Sequence, residues 1–303
     1  MPNENISILV EQLEQVLLGK QQQIKLALSC IFAEGHLLIE DQPGMGKTSL
    51  SQAMAQSMSL SYQRIQFTSD MLPADILGVS IFDKQQAKFV FHPGPIFKQM
   101  ILADEINRAS PKTQSSLLEA MAEKQITVDG ETYPLPNPFF VIATQNPSEQ
   151  SGTFPLPESQ LDRFMMKLSI GYPSQEAEMA MLKGQEKLTK AQPLPPCLNA
   201  LSLQELQQKV DNISASDSLI KYILALVKTS RELDEAIGLS PRASKAILKA
   251  AKSWAMVQGR QYVVPEDVQT IFPLVAEHRM SRSTNQNTPV ISNIILSRVN
   301  PIL

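Results

Sequence analysis

Cysteine is nearly missing from this chain of 303 residues, with only Cys30 and Cys197 present. Two thiols so widely separated offer neither a disulfide framework nor metal-ligand spacing. Histidine is as scarce: His36, His92 and His278 stand singly, and none is assigned a catalytic part. No apolar run approaches the roughly 20 residues that span a bilayer. The first fifteen positions hold Glu4, Glu11 and Glu14 and no basic residue, unlike the cationic start of a secretory signal. An excess of one charge is also missing. Lys and Arg number 27 against 30 Asp and Glu, a net charge of −3, which argues against a nucleic-acid binder driven by phosphate electrostatics. Together these absences predict a reducing, cytoplasmic setting and no membrane span.

What is present is an ordinary globular composition, 43% hydrophobic and 19% charged, with ample material for a buried core. The two halves differ in texture. Up to about residue 185, short apolar runs alternate with helical stretches, the pattern of an α/β layer fold. Core strands are predicted at His36–Glu40, Arg64–Phe67, Met100–Ala103, Phe139–Thr144 and Met165–Ile170. Most are continuous apolar runs, as a parallel sheet covered on both faces requires. Two hairpins are predicted to interrupt this core. Val79–Phe82 and Lys88–Phe91 flank the polar tip Asp83–Gln86, and Gln125–Val128 and Thr132–Leu135 flank Asp129-Gly130, a dipeptide suited to a tight hairpin turn.

Thr189–Pro196 holds three prolines in eight residues (TKAQPLPP) and reads as a linker. Beyond it only helical patterns appear. Leu219, Ile220, Ile223, Leu224 and Val227 keep i, i+3, i+4 spacing. Pro241–Val257 and Pro265–Arg279 each open with proline in the first turn, where its missing N–H is harmless. The tail after Met280, polar and then apolar from Val290 to Leu296, carries no assignment.

Chemistry enters at Ile39-Glu40-Asp41-Gln42-Pro43-Gly44-Met45-Gly46-Lys47-Thr48, between a predicted strand and a predicted helix. That is the setting of a Walker A phosphate loop. Glycines let the backbone wrap so that successive N–H groups point at phosphate oxygens, and the helix start adds partial positive charge. Gly44, Met45, Gly46, Lys47, Thr48 and Ser49 are the candidate nucleotide-binding residues. Lys47 is expected at the β- and γ-phosphates of ATP, and the Thr48 hydroxyl on Mg²⁺. The general pattern wants glycine five residues before Gly46, where Asp41 stands instead.

A second apolar strand ends in acid, Met100-Ile101-Leu102-Ala103-Asp104-Glu105. This is the Walker B pattern of ATPases that carry their own catalytic glutamate, with Asp104 expected to hold Mg²⁺ through water and Glu105 to polarise the attacking water. A third strand, Val141–Thr144, delivers the neutral amide Asn146, able to fix that water beside the γ-phosphate. The expected fold is a P-loop α/β core, a parallel five-stranded sheet between helices, over residues 1–188. A small all-α domain is expected over residues 197–303.

With these motifs in view, the chain resembles the MoxR family of AAA+ ATPases over most of residues 18–281. The most specific stretches are LADEINRASPKTQSSLLEAMAE (Leu102–Glu123) and FFVIATQNPSEQSGTFPLPESQLDRF (Phe139–Phe164). DMLPADILG (Asp70–Gly78) and Gly238-Leu239-Ser240-Pro241-Arg242-Ala243 add to them. The resemblance tolerates Asp41 in the loop. It implies that Asn146 is sensor 1, Arg163 the arginine finger and Arg242 sensor 2, and that the hairpins are the insertions which elsewhere point into a ring channel. It further implies a homo-hexameric ring, a partner with a von Willebrand factor A domain, and chaperone-like work on a protein client, such as complex maturation or metal-cofactor insertion. Two placements stand on physical grounds as well. Ser240 before Pro241 makes a helix cap, which sets Arg242 in the first turn, where it is expected to face the γ-phosphate and signal its presence to the lid. Arg163 precedes the last core strand, poorly placed for its own loop and suited to a neighbour's. Arg108 is a candidate contact to either the interface or the phosphates.

The expected activity is ATP hydrolysis by electrostatic stabilisation, without a covalent intermediate. Two other readings stay open from the residues. One is a DNA-linked motor of the same superfamily, which calls for a basic channel. The other is a nucleotide-dependent scaffold without turnover, which would have no need of Glu105.

Overall fold

The computed structural model describes residues 4–146, 152–183, 194–281 and 290–301. Two amphipathic helices lead in, α1 (Glu4–Glu14) and α2 (Gln21–Phe32), before β1 (His36–Glu40), α3 (Lys47–Ser57) and β2 (Tyr62–Gln66). Then come α4 (Pro73–Leu77), the hairpin β3 (Gly78–Asp83) and β4 (Lys88–Pro93), β5 (Met100–Asp104), a 3₁₀ turn over Ile106–Arg108, and α5 (Pro111–Glu123). The second hairpin, β6 (Gln125–Val128) and β7 (Glu131–Pro134), precedes β8 (Phe140–Gln145), α6 (Glu158–Leu161), β9 (Phe164–Leu168) and α7 (Gln175–Leu182). The helices α8 (Ala200–Asp211), α9 (Asp217–Glu232), α10 (Pro241–Val257), α11 (Pro265–Met280) and α12 (Ile291–Arg298) follow.

The five expected core strands form one parallel sheet in the order β2-β5-β8-β1-β9. Strand alternation divides their side chains between two cores. Leu37, Ile39, Leu102 and Ile142 face α1–α3 and the C-terminal helices, while Leu38, Ala103, Val141 and Phe164 face α4 and α5. Both faces are therefore covered, which explains why the inner strands β5, β8 and β1 are almost continuously apolar, whereas the edge strand β2 carries polar residues.

Both hairpins lie outside the sheet. Asp129 and Gly130 both take positive φ, 52° and 83°, as the tight hairpin turn demands. The hairpins meet each other through Phe91 of β4 stacked on Tyr133 of β7, ring centroids 4.1 Å apart.

The helical half begins where sequence signals place it. Ser240 Oγ accepts from the Ala243 amide at 3.1 Å and Ser216 Oγ from the Leu219 amide at 3.2 Å. These helices share one apolar core with the sheet face rather than packing apart from it. On α10, Ala250 and Ala251 are buried where it crosses α2, and Ser253 Oγ donates to Ser29 O at 2.7 Å. The proline-rich Thr189–Pro196 falls largely outside the described residues. The unassigned tail forms α12 against α9 and α11. Its first amides, Ile291 and Ser292, donate to the Glu277 carboxylate at 3.1 and 2.8 Å, a cap supplied from another helix and so invisible to local reading.

His36, at the start of β1, is enclosed by Phe139 and Phe140. Its Nδ1 accepts from the Val141 amide at 3.0 Å and its Nε2 lies 3.3 Å from Met121 O, an arrangement satisfied by the neutral ring. Burial lowers its pKa from the ordinary 6.5 to about 4, and burial beside Arg279 pushes His278 well below 6.5. Below pH 6.5 the unfolded chain takes up protons that the folded protein refuses, so stability falls as pH drops. We expect His36 alone to contribute a slope of up to about 1.4 kcal/mol per pH unit between pH 6.5 and about 4. Urea unfolding at several pH values should show a shallower pH slope for His36→Gln than for the parent. Identical slopes would refute this account.

Candidate active site at the carboxyl edge of the sheet

The chain leaves β1 at Asp41 and re-enters helix at Lys47, the first residue of α3. Gly44 and Gly46 hold φ of 85° and 83°, left-handed values that suit glycine. A Cβ on Gly46 would lie 2.6 Å from Leu17 Cδ1, so the loop is also tightly backed, whereas Gly44 faces open space. Lys47 curls over the loop and donates through Nζ to Asp41 O at 2.6 Å. Burial lowers its pKa, opposed by the carboxylates of Asp41, Asp104 and Glu105. The Asp41 side chain has its own task. Its carboxylate accepts from Ser169 Oγ (2.8 Å), the Ile170 amide (2.5 Å) and the Gly171 amide (3.2 Å). It ties the loop to the segment after β9, which a glycine there could not do.

Beside the loop, Asp104 closes β5 and Glu105 follows in the left-handed region, φ 57° and ψ 49°. That conformation turns the two carboxylates to different partners. Asp104 Oδ2 accepts from Arg64 at 2.6 and 3.0 Å, and its Oδ1 accepts from Thr144 Oγ1 at 2.5 Å. Glu105 Oε2 accepts from Gln66 Nε2 at 2.8 Å and pairs with Arg108 Nε at 3.0 Å. Its amide donates to Thr144 Oγ1 at 2.9 Å. Asn146 is buried at the end of β8, the strand between β1 and β5. Loop, acidic pair and amide thus converge on one edge, at the crevice where doubly wound sheets bind ligands. The residues fit a nucleotide with a divalent cation: helix-start amides and Lys47 for phosphates, and an Asp104 carboxylate that already carries the Arg64 guanidinium as a stand-in cation. Thr48 and Ser49 open α3 beside them.

Arg163 and Arg242 lie elsewhere. Arg163 directly precedes β9, whose first residue, Phe164, pairs with His36 at the start of β1. Arg242, in the first turn of α10, stands with Nε 3.9 Å from Asp162 Oδ2. Both therefore belong to the amino edge of the sheet. The five residues of β1 span about 13–17 Å, more than an arginine side chain reaches. From the sequence, Arg242 is expected to face a γ-phosphate; helix start and cap are as expected, and α10, anchored on α2, sets its first turn at the edge away from this copy's own phosphate loop. Arg108, expected at the interface or the phosphates, is paired with Glu105.

Comparison with known proteins is consistent over both halves. Residues 36–166 match the model of the ATPase family associated with various cellular activities (AAA), and residues 227–295 match the AAA lid domain. The chain is 47% identical to protein YeaC of Bacillus subtilis, covering 89% of this chain and 85% of that one. It is 37% identical to the chaperone MoxR1 of Mycobacterium tuberculosis, covering 95% and 79% respectively. A crystal structure from Cytophaga hutchinsonii, described as a candidate ATPase, superposes with a TM-score of 0.88 at 36% identity, covering 98% and 94%. The chain belongs to the MoxR family of AAA+ ATPases.

It is thus a member of a nucleotide-binding ATPase family, and none of its described helices is long and apolar enough to cross a membrane. Within this MoxR protein, sequence reasoning missed Arg64, Gln66 and Thr144. The first two alternate at i and i+2 on an edge strand, so they share one face, and two polar residues there were the available signal. Thr144 sits inside an apolar run and gave none.

Asp41 yields the sharpest test of this geometry. Asp41→Gly restores the general loop pattern, yet it strips hydrogen bonds from the buried Ile170 amide and its neighbours. We expect a loss of about 2 kcal/mol in unfolding free energy, measured by urea denaturation without nucleotide. A neutral or stabilising effect would show that the tether is not holding the loop.

Proposed function

We propose that this chain hydrolyses ATP at sites completed by a neighbouring copy and spends the cycle remodelling partner proteins. The observation that carries the proposal is the split between sheet edges: Lys47, Asp104, Glu105 and Asn146 gather at one, Arg163 and Arg242 at the other. A head-to-tail contact between copies brings the two edges together, and such contacts close into rings.

In this reading the amides from Gly44 to Ser49 and the Lys47 ammonium hold the β- and γ-phosphates. Magnesium, held by Thr48 and Asp104, would neutralise charge on the phosphate oxygens. Glu105 orients and polarises the attacking water, and Asn146 fixes it against the γ-phosphate. To do so Glu105 must leave Gln66 and Arg108, both of which hold it by contacts exposed to solvent. Arg163, with Arg242 beside it, supplies positive charge to the neighbour's site as charge moves toward the leaving group.

The assembly we infer is a ring of six copies with a protein client and a partner bearing a von Willebrand factor A domain, the latter from family resemblance. The mycobacterial relative's name, a chaperone, supports work on other proteins. Free thiols at Cys30 and Cys197 support a reducing, cytoplasmic setting.

Phosphate release measured against protein concentration tests the proposal. Turnover per subunit should rise with assembly, and Arg163→Ala in the assembled form should lose roughly 10³-fold or more. Unchanged turnover in that variant removes the shared site. Glu105→Gln should keep ATP bound while losing turnover by about 10²-fold, whereas Lys47→Ala should weaken binding itself. Normal turnover in Glu105→Gln would exclude Glu105 as the group that activates water.

A further inference from the structure

Arg279, on α11, is almost fully enclosed, its side chain 6% exposed. Its guanidinium is spent on the segment around Arg163. Nε donates to Asp162 Oδ1 at 2.7 Å, and Nη2 donates to Phe164 O at 2.8 Å and Asp162 O at 3.3 Å. Nη1 donates to Met165 O at 3.1 Å and to Val275 O within its own helix. The adjacent His278 places Nε2 3.2 Å from the same Phe164 O. Enclosing a guanidinium is costly unless its donors are matched. Here they are matched to residues on either side of Arg163 and skip Arg163 itself.

Arg163 makes no side-chain hydrogen bond or ion pair among the described residues. The second oxygen of Asp162, Oδ2, faces Arg242 Nε at 3.9 Å, and Arg242 is 57% exposed. One carboxylate therefore sits between an arginine locked in the core and an exposed arginine at the start of α10, with the uncommitted Arg163 next in the chain. Arg279 thus grips three residues, Asp162, Phe164 and Met165, around a half-buried cation that none of these bonds uses.

We propose that Arg279 and Asp162 are a positioning pair that presents Arg163 and Arg242 together to the ATP site of the neighbouring copy. Arg279 fixes the backbone from which Arg163 projects, and Asp162 sets the direction of Arg242. Neither touches nucleotide. The proposal rests on the shared-site reading above.

The test uses the full chain and two variants. Arg279→Lys keeps the charge but replaces a planar fork with a single point donor, and Asp162→Asn keeps the shape without the charge. Each should bind a fluorescent ADP within about twofold of the parent yet, assembled alone, lose roughly tenfold to a hundredfold in turnover. Each is then co-assembled one to one with Glu105→Gln subunits, which have a dead nucleotide site and an intact arginine edge. If the damage lies in the edge presented to the neighbour, about a quarter of the parent turnover returns, the fraction of head-to-tail contacts that join an intact site to an intact edge.

Co-assembly of Arg163→Ala with Glu105→Gln is the control. If that control recovers and neither positioning variant does, the positioning proposal is wrong, because the damage lies in the variant's own site. If the control also stays inactive, the shared site itself is refuted and the pair loses its purpose with it. Parent-like turnover in both variants alone would equally overturn the proposal. Should Arg279→Lys not fold, Asp162→Asn decides, since it leaves the Arg279 bonds to Phe164 O and Met165 O in place.

Discussion

A parallel hydrogen-bond ladder gives every strand the same direction, and that constraint organises everything functional in this protein. Because β1, β2, β5 and β8 all end at one edge, residues far apart in sequence arrive side by side there. Asp41, Gln66, Asp104 and Asn146 are each a strand terminus or its immediate successor. The same ladder sends the residue before β9 to the opposite edge. No side-chain rotamer closes that gap, so within one copy the acidic pair and Arg163 stay apart. The proposed division of labour between copies is therefore written into strand direction rather than into any single contact.

Within the acidic edge, charge is kept in check by internal partners. Asp104 and Glu105 are adjacent and would repel if aimed alike. The left-handed turn at Glu105 separates them, at a cost of roughly 1–2 kcal/mol, and strain of this kind tends to persist where surroundings fix it. Arg64 is 48% exposed, so its pair with Asp104 is screened by water and worth about 1 kcal/mol or less. The Gln66 and Arg108 contacts to Glu105 are similarly open. These bonds are strong enough to order the carboxylates and weak enough to be surrendered when phosphate and cation arrive. By contrast, the buried Asp41 tether and the Arg279 cluster sit where water cannot replace a lost bond. The site thus combines firm supports with loose groups that take part in chemistry.

Much of this was legible in the chain itself. Continuous apolar runs revealed most of the five strands because both sheet faces are covered, and the Ser240 cap with its following proline fixed α10 to the residue. Asp129-Gly130 marked its hairpin because few other dipeptides accept two positive φ values. Illegible features share one property: they depend on contacts across the fold. Asp41 looked like a defect in the loop until its partners after β9 were placed. Arg64 and Gln66 acquire meaning only beside β5, and the Glu277 cap of α12 spans helices. The sheet edge that Arg242 occupies was hidden for the same reason. The helix start was readable, but the edge of the sheet it occupies is set by how α10 crosses α2.

That crossing also bears on how a nucleotide state would be passed on. The helical half is joined to α2 through buried alanines and the Ser253–Ser29 bond, within one continuous apolar core. Close-packed interiors deform little, and sliding one helix over another there would open voids costing several kcal/mol. A hinge between the helical half and the sheet is therefore the expensive route. The proposed contact between copies asks for less, because Arg163 projects from a segment clamped by Arg279 and Arg242 is exposed at the start of α10. In the proposed assembly, rotating one rigid copy against the next leaves this packed core intact. If the chain works in the ring proposed above, the packing of α10 on α2 therefore favours motion between copies over sliding within one.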